Sequence, residues 1–233
     1  RPAKNTLSVT VSESLLPVLP EVLARIKNLF DLYCEPKAVY ETLQVMNTLQ
    51  PGLCVLGTRL PGCFNVFEMS VRAVLGQQIT VKAASTLAAR LVAVYGTQVQ
   101  TGIEGLTHSF PAPAAILALG ENISEHLGKL GIISARANTI YQLARVLADE
   151  KNDFGFCGNP EEEMQKLQAI RGIGSWTAQY IAMRAMGWPD AFLPTDAGIK
   201  KALPDHTPKE LQVLSEAWRP WRSYATVNLW NTL

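Results

Sequence analysis

Apolar residues recur at helical spacing along most of the chain. Val18, Val22, Ile26, Leu29 and Phe30 predict one helix face that runs to about Tyr33. Phe67, Val71, Val74 and Leu75 predict a longer helix, which the polar Gly76-Gln77-Gln78 interrupts; the helical pattern resumes over 82–94 and stops at Gly96. Further helices are expected over about 114–119, 123–130 and 135–150, with Gly131 parting the last two. Pro51-Gly52, Gly57 and Pro61-Gly62 mark a loop, and residues 102–113 read as another. One segment has a different period. Thr6-Leu7-Ser8-Val9-Thr10-Val11 alternates apolar and polar side chains, as a half-buried strand does. A lone strand is not stable, so its sheet partners are expected upstream of Arg1 or in a region that the pattern does not identify. With no repeat and no low-complexity tract, the class is mainly α.

Between 159 and 187 the pattern becomes a pair of helices joined by a tight turn. Asn159 is a capping residue, Pro160 suits the first helical position, and Glu161, Glu162 and Glu163 complement the positive end of the helix dipole. Met164, Leu167 and Ile170 give this short helix an apolar face. Arg171-Gly172-Ile173-Gly174-Ser175 then leads into a second helix over 176–186, which Gly187 can cap. Glycine accepts φ > 0 and carries no Cβ, so another backbone can approach such a turn closely. The N–H groups opening the second helix point outward, where a phosphate can sit against them. A bare Gly-x-Gly corner is commonplace, and taken alone an ordinary αα-hairpin is the better account of it. Downstream, Asp196 follows Pro194-Thr195 and precedes the apolar Ile199 and Leu203, which makes it a natural helix cap.

The string Leu167-Gln168-Ala169-Ile170-Arg171-Gly172-Ile173-Gly174-Ser175-Trp176-Thr177-Ala178, followed by Trp188-Pro189-Asp190-Ala191-Phe192-Leu193-Pro194-Thr195-Asp196, resembles the helix-hairpin-helix and aspartate segment of the DNA glycosylase superfamily that includes endonuclease III, MutY and AlkA. Leu60-Pro61-Gly62-Cys63, Arg72-Ala73-Val74-Leu75-Gly76-Gln77 and Trp218-Arg219-Pro220-Trp221-Arg222-Ser223-Tyr224-Ala225 extend the likeness to the AlkA-like 3-methyladenine DNA glycosylase II family. The resemblance implies a two-lobed helix-hairpin-helix glycosylase fold with the remnant of an N-terminal α/β domain. Residues 1–40 are then the remnant, 41–65 and 189–233 the lobe carrying Asp196, and 66–188 the lobe that ends in the hairpin. The implied activity is hydrolysis of the N-glycosidic bond of alkylated bases such as 3-methyladenine, after base flipping, in double-stranded DNA. Asp196 is then the catalytic carboxylate, because a fixed anion stabilises the positive charge that cleavage builds on the sugar. By the same likeness Trp176, Tyr180 and Trp230 line the base pocket. Their ring faces would attract a cationic alkylated purine by up to about 2 kcal/mol. Core packing is the ordinary alternative for each of these aromatics.

DNA contacts are expected from Gly172, Gly174, Ser175 and Thr177 in the hairpin and from Gln77 and Gln78. Gln78 matches the side chain that the family inserts into the gap left by the extruded base; an amide capping a helix end is the alternative. The main-chain carbonyls of Gln168, Ile170 and Ile173 match those that hold a monovalent cation against a phosphate in the family. Bifunctional members carry a lysine directly before Thr-Ala in the hairpin, for a Schiff base with the sugar. Trp176 stands there, which removes that lyase route. Members with an iron–sulfur cluster place four cysteines after the catalytic helix, whereas Cys157 is the last cysteine of this sequence; no cluster and no organic cofactor are expected.

Composition narrows the rest. Lys and Arg number 21 against 20 Asp and Glu, a net charge of +1, and this balance neither marks nor excludes a nucleic-acid partner. Cys34, Cys54, Cys63 and Cys157 form no close pair at zinc or redox spacing, and with no secretory signal they are expected to be reduced. No apolar run reaches the length of a membrane span. The expectation is a monomeric, cytoplasmic, DNA-associated bacterial protein, present here as a fragment. Similar modules occur fused behind Ada-like methyl-acceptor domains. That leaves a non-catalytic DNA-gripping module, a regulatory or scaffolding module, and a glycosylase for oxidised bases as alternatives.

Overall fold

A computed structural model describes residues 6–148 and 159–233; Cys157 and the end of the helix expected over 135–150 lie outside them. The chain is mainly helical, and the first helices are the least buried. A 3-10 turn at Glu13–Val18 leads into α1, Leu19–Leu29, which buries no residue fully. Residues 6–11 are not a strand: they run without regular structure, leaving Leu7 and Val9 exposed. Alternation alone does not make a ladder, because alternate N–H and C=O groups need a neighbouring chain. Among the described residues the one sheet lies elsewhere, with only its second strand inside the loop expected over 102–113. There β1, Thr97–Gln98, pairs antiparallel with β2, His108–Ser109. Polar contacts hold the N-terminal stretch in place. Arg59 donates to the carbonyls of Asp31 at 2.7 Å and Cys34 at 3.0 Å, and the Gly62 N–H donates to the Leu29 carbonyl at 3.1 Å.

Two apolar cores follow. The first is built by α3 (Val66–Leu75), α4 (Val81–Tyr95), α5 (Pro113–Leu117), α6 (Ile123–Gly128), α7 (Ser134–Leu147), α8 (Pro160–Gln168) and α9 (Ser175–Arg184). Phe67, Val71, Val74 and Leu75 on α3 meet Ile140 and Leu143 on α7 and Ile181 on α9. The break after α3 separates two helices capped independently. Asn65 accepts the Glu68 N–H at 2.8 Å, and Thr80 accepts the Ala83 N–H at 3.2 Å.

The second core joins α2 (Pro36–Leu43) to α10 (Ala197–Ala202), α11 (Pro208–Leu214) and α12 (Arg222–Trp230), around Leu43, Met46, Phe192, Leu193 and Trp218. Helix α9 serves both cores. Ala178, Ile181 and Ala182 pack in the first, while Met183 packs in the second with Trp176 and Tyr180 against it. Residues 176, 180 and 183 share one helix face by their spacing, so a single helix delivers aromatics to the junction of the two cores.

The loop after α9 is pinned to the start of α12. Arg222 is buried and donates to both carboxylate oxygens of the buried Asp190, at 2.7 and 2.9 Å. The Ser223 hydroxyl donates to the Trp188 carbonyl at 2.7 Å, and the Ser223 N–H to the Pro189 carbonyl at 2.9 Å. A paired, fork-like Arg–carboxylate contact fixes orientation as well as distance. It therefore sets where α12 ends relative to the segment that enters α10. Farther along α12 burial pushes the Tyr224 hydroxyl above its usual titration range, as it does the Cys34 thiol. Among the described residues no helix is long and apolar enough to cross a membrane.

Candidate active site

Asp196 caps α10 and lies where α9, α10 and the end of α12 converge, only 9% exposed. Four N–H groups meet its carboxylate. Oδ1 accepts from the N–H of Gly198 at 2.9 Å, the N–H of Ile199 at 3.1 Å and the Trp230 indole at 2.8 Å. Among the described residues Oδ2 accepts from the Trp176 indole alone, at 3.0 Å. A carboxylate oxygen offers about two lone-pair positions, so Oδ1 is saturated while Oδ2 retains capacity for one more donor or an electrophile. The aromatic rings form the adjoining wall. Trp176 stacks on Tyr180 with centroids 5.2 Å apart and planes at 6°, and Trp230 tilts against Tyr180 at 6.3 Å. All three are half-buried. The residues nominated in sequence, Trp176, Tyr180, Asp196 and Trp230, thus meet in space. The pattern did not suggest that the two indoles donate to the acid.

Sequence reasoning also passed over Gly198. A Cβ at this position would lie 2.7 Å from Trp230 Cδ1, 2.9 Å from its Nε1 and 3.0 Å from Asp196 Oδ1. Only a residue without a side chain lets the indole reach the carboxylate. Gly198→Ala is expected to push Trp230 off Oδ1 and to cost about 1–2 kcal/mol, measured by denaturant unfolding. The lost charge-assisted bond contributes about 1.5–3 kcal/mol, and the stiffer unfolded chain returns about 0.4–1. In a Trp230→Ala background the same substitution should be close to neutral; an undiminished loss there would mean that the indole is not what Gly198 accommodates.

The hairpin residues divide into two groups. Gly174 precedes α9 as its cap with open space beside it, and Ser175 is exposed, so the first N–H groups of α9 face outward with no side-chain cap. Gly172 is the residue whose backbone demands glycine: its φ is +97°, and a Cβ would fall 2.1 Å from Thr139 Oγ1. Thr177 and Gln77 do not present side chains outward. Thr177 is buried, and its hydroxyl accepts from the Gln77 amide at 2.9 Å. Gln78, by contrast, is exposed and holds φ = +54° in the turn between α3 and α4. Gln168 is exposed, while Ile170 and Ile173 are buried; the Ile170 carbonyl accepts the Ile173 N–H at 3.0 Å. Among the described residues no group of His, Cys, Asp or Glu side chains is placed to hold a metal ion.

Comparison with known proteins places this geometry in a family context. Residues 1–65 match a family described as the AlkA N-terminal domain, and residues 71–222 match the HhH-GPD superfamily base excision DNA repair proteins. The chain is 38% identical over 230 residues to DNA-3-methyladenine glycosylase 2 of Escherichia coli, covering 99% of this chain and 78% of that protein. It is 40% identical over 216 residues to the probable bifunctional transcriptional activator/DNA repair enzyme AlkA of Mycobacterium tuberculosis, covering 90% of this chain and 42% of that one. Measured against the second relative, it spans less than half the length. In fold it is similar to a 3-methyladenine DNA glycosylase from Archaeoglobus fulgidus, with TM-score 0.76 and 21% identity over 97% of this chain and 77% of that one.

Proposed function

The chain belongs to the HhH-GPD superfamily of base excision DNA repair proteins, and from that premise we propose that it is a monofunctional glycosylase for alkylated purines such as 3-methyladenine in duplex DNA. The observation that carries this reading is the buried Asp196, held between two indole N–H groups beside a stacked aromatic wall.

The chemistry follows from charge. An alkylated purine is cationic while attached to the sugar, and the faces of Trp176, Tyr180 and Trp230 favour a cation. As the C1′–N bond breaks, its electron pair goes to the base, which leaves neutral, and positive charge moves onto the sugar. Asp196 Oδ2, with its remaining lone pair, faces that charge or orients the water that adds to C1′ and gives up a proton. Position 176 is an indole whose N–H is committed to Asp196, so no amine is offered there for a covalent adduct.

The outward N–H groups at the start of α9 suit a DNA phosphate. The carbonyls of Gln168, Ile170 and Ile173 would hold a monovalent cation, which supplies positive charge for the same backbone. Between them the Arg171 carbonyl accepts the Thr139 hydroxyl and the Gly172 carbonyl the Gln77 amide, each at 2.9 Å, while the Ile170 carbonyl, which accepts the Ile173 N–H, keeps a second lone pair. In this reading the protein acts as a monomer, with duplex DNA lying across the junction of the two cores.

The test is to incubate the protein with randomly methylated duplex DNA and identify the bases released. Free 3-methyladenine, intact abasic strands and no adduct on borohydride treatment are expected. A folded protein that releases no base overturns the glycosylase reading, and a trapped protein–DNA adduct overturns its monofunctional part.

A further inference from the structure

Gln77 was a candidate DNA contact in sequence, yet its side chain points into the protein. Its amide Nε2 donates to the Gly172 carbonyl and to the Thr177 hydroxyl, each at 2.9 Å. Its own main-chain carbonyl accepts from the Arg136 guanidinium on α7. From the same helix the Thr139 hydroxyl donates to the Arg171 carbonyl at 2.9 Å. Four hydrogen bonds therefore join three pieces that are distant in sequence: the turn after α3, helix α7, and the hairpin with the first turn of α9. One of the donors is a charged, half-buried guanidinium, and charged donors make the stronger bonds.

The residue immediately after this junction is Gln78, exposed and at φ = +54°. Glutamine does not enter that region without cost, because its Cβ crowds the following carbonyl. Such a conformation persists only where the surroundings over-determine it. Here the determinants are the Thr80 cap of α4 on one side and the fixed Gln77 on the other.

We propose that Gln77 is a positioning residue. Together with Arg136 it splints the turn to the hairpin, so that Gln78 projects into the duplex at a fixed offset from the phosphate grip. Docking of the hairpin N–H groups on the backbone and entry of Gln78 into the base stack then occur as one movement. The proposal rests on the reading of Gln78 as the inserted side chain, and the two can fail separately.

Extruding a base costs most when the base is paired and least when it has no partner. The measurement is therefore a ratio: the single-turnover release rate with the lesion in a normal pair, divided by the rate with the same lesion opposite an abasic residue. Gln78→Ala should lower this ratio about tenfold, and Gln77→Leu and Arg136→Leu should each lower it by at least about fivefold. The double variant Gln77→Leu/Gln78→Ala should be no worse in the ratio than Gln78→Ala alone, because the splint acts through the inserted side chain. Gln77→Glu, similar in shape but unable to donate to the Gly172 carbonyl, gives the same ratio if the leucine variant fails to fold. If Gln78→Ala lowers the ratio and the Gln77 variants lower both rates equally, the splint is only structural and the proposal is wrong. If Gln78→Ala leaves the ratio intact, the inserted-residue reading is wrong and this proposal falls with it.

Discussion

Exchanging Asp196 for asparagine is expected to slow base release at least about a hundredfold, the loss typical when one preorganised electrostatic stabiliser is removed. Asparagine keeps an oxygen for the Gly198 and Ile199 N–H groups, so the helix cap survives. The other position is where the structure adds to the expectation. There the carboxylate accepts the Trp176 indole N–H at 3.0 Å, whereas an amide NH2 would oppose donor to donor. A stability loss of about 1 kcal/mol is therefore expected, the low end for an unpaired donor because Trp176 is only half-buried. Affinity for undamaged duplex should barely change if, as proposed, it rests on phosphate contacts at the hairpin. Affinity for a cationic abasic-sugar analogue should fall in step with the rate, because the analogue carries the charge that the carboxylate meets. A melt, a duplex titration and a single-turnover assay on the two proteins decide it. A folded variant that releases base at near-native rate would reduce Asp196 to a helix cap.

Much of this architecture is written in local patterns. Phe67, Val71, Val74 and Leu75 place α3, and the break at Gly76–Gln78 falls where that helix stops. Asn159-Pro160 starts α8 with the Asn159 side chain accepting the Glu161 N–H, and Gly187 adopts the left-handed conformation expected of it. Thr207 and Glu210 form a capping box ahead of α11, a Thr-x-x-Glu spacing that the reading of the sequence passed over. What local pattern cannot carry is partnership. The alternation at Thr6–Val11 says which faces differ but not whether a neighbouring strand exists, and among the described residues no strand forms a ladder with it. Gly198 looks like an indifferent second residue of a short helix; its importance lies in Trp230, which is remote in sequence. Gln77 and Gln78 are identical in type and adjacent, yet one turns inward to the hairpin and the other outward, because only the first meets Gly172, Thr177 and Arg136. Resemblance nominated Trp176, Tyr180, Asp196 and Trp230 together. The direction of the indole N–H bonds between them is a tertiary fact.

Gly172→Ala is expected to destabilise the protein by about 1–4 kcal/mol, a large share of what a domain has to lose. Two costs combine. Alanine held at φ = +97° carries backbone strain of about 1–3 kcal/mol. Its Cβ would also stand 2.1 Å from Thr139 Oγ1, and Thr139 is buried on α7, so the hydroxyl must leave its place. That breaks the bond to the Arg171 carbonyl, worth about 0.5–1.5 kcal/mol. The stiffer unfolded chain returns only about 0.4–1 kcal/mol, too little to change the sign. A second substitution separates the two costs. With Thr139→Ala the colliding hydroxyl is gone, and the nearest remaining atom, the residue's own Cβ, lies 3.3 Å from the new methyl group. Thr139→Ala alone should cost about 1 kcal/mol through the lost hydrogen bond. The double variant should then be no less stable than Gly172→Ala alone, since the hydrogen bond cannot be lost twice, and what remains is the strain in φ. Denaturant unfolding of the four proteins gives the coupling directly. Simple additivity of the two losses would mean that Thr139 yields freely and that backbone strain alone fixes the turn. Affinity for duplex should also fall for Gly172→Ala, even well below its melting temperature, because the strained residue is the one whose carbonyl holds Gln77 at 2.9 Å. The splint to Gln78 and the N–H groups that open α9 are therefore disturbed together.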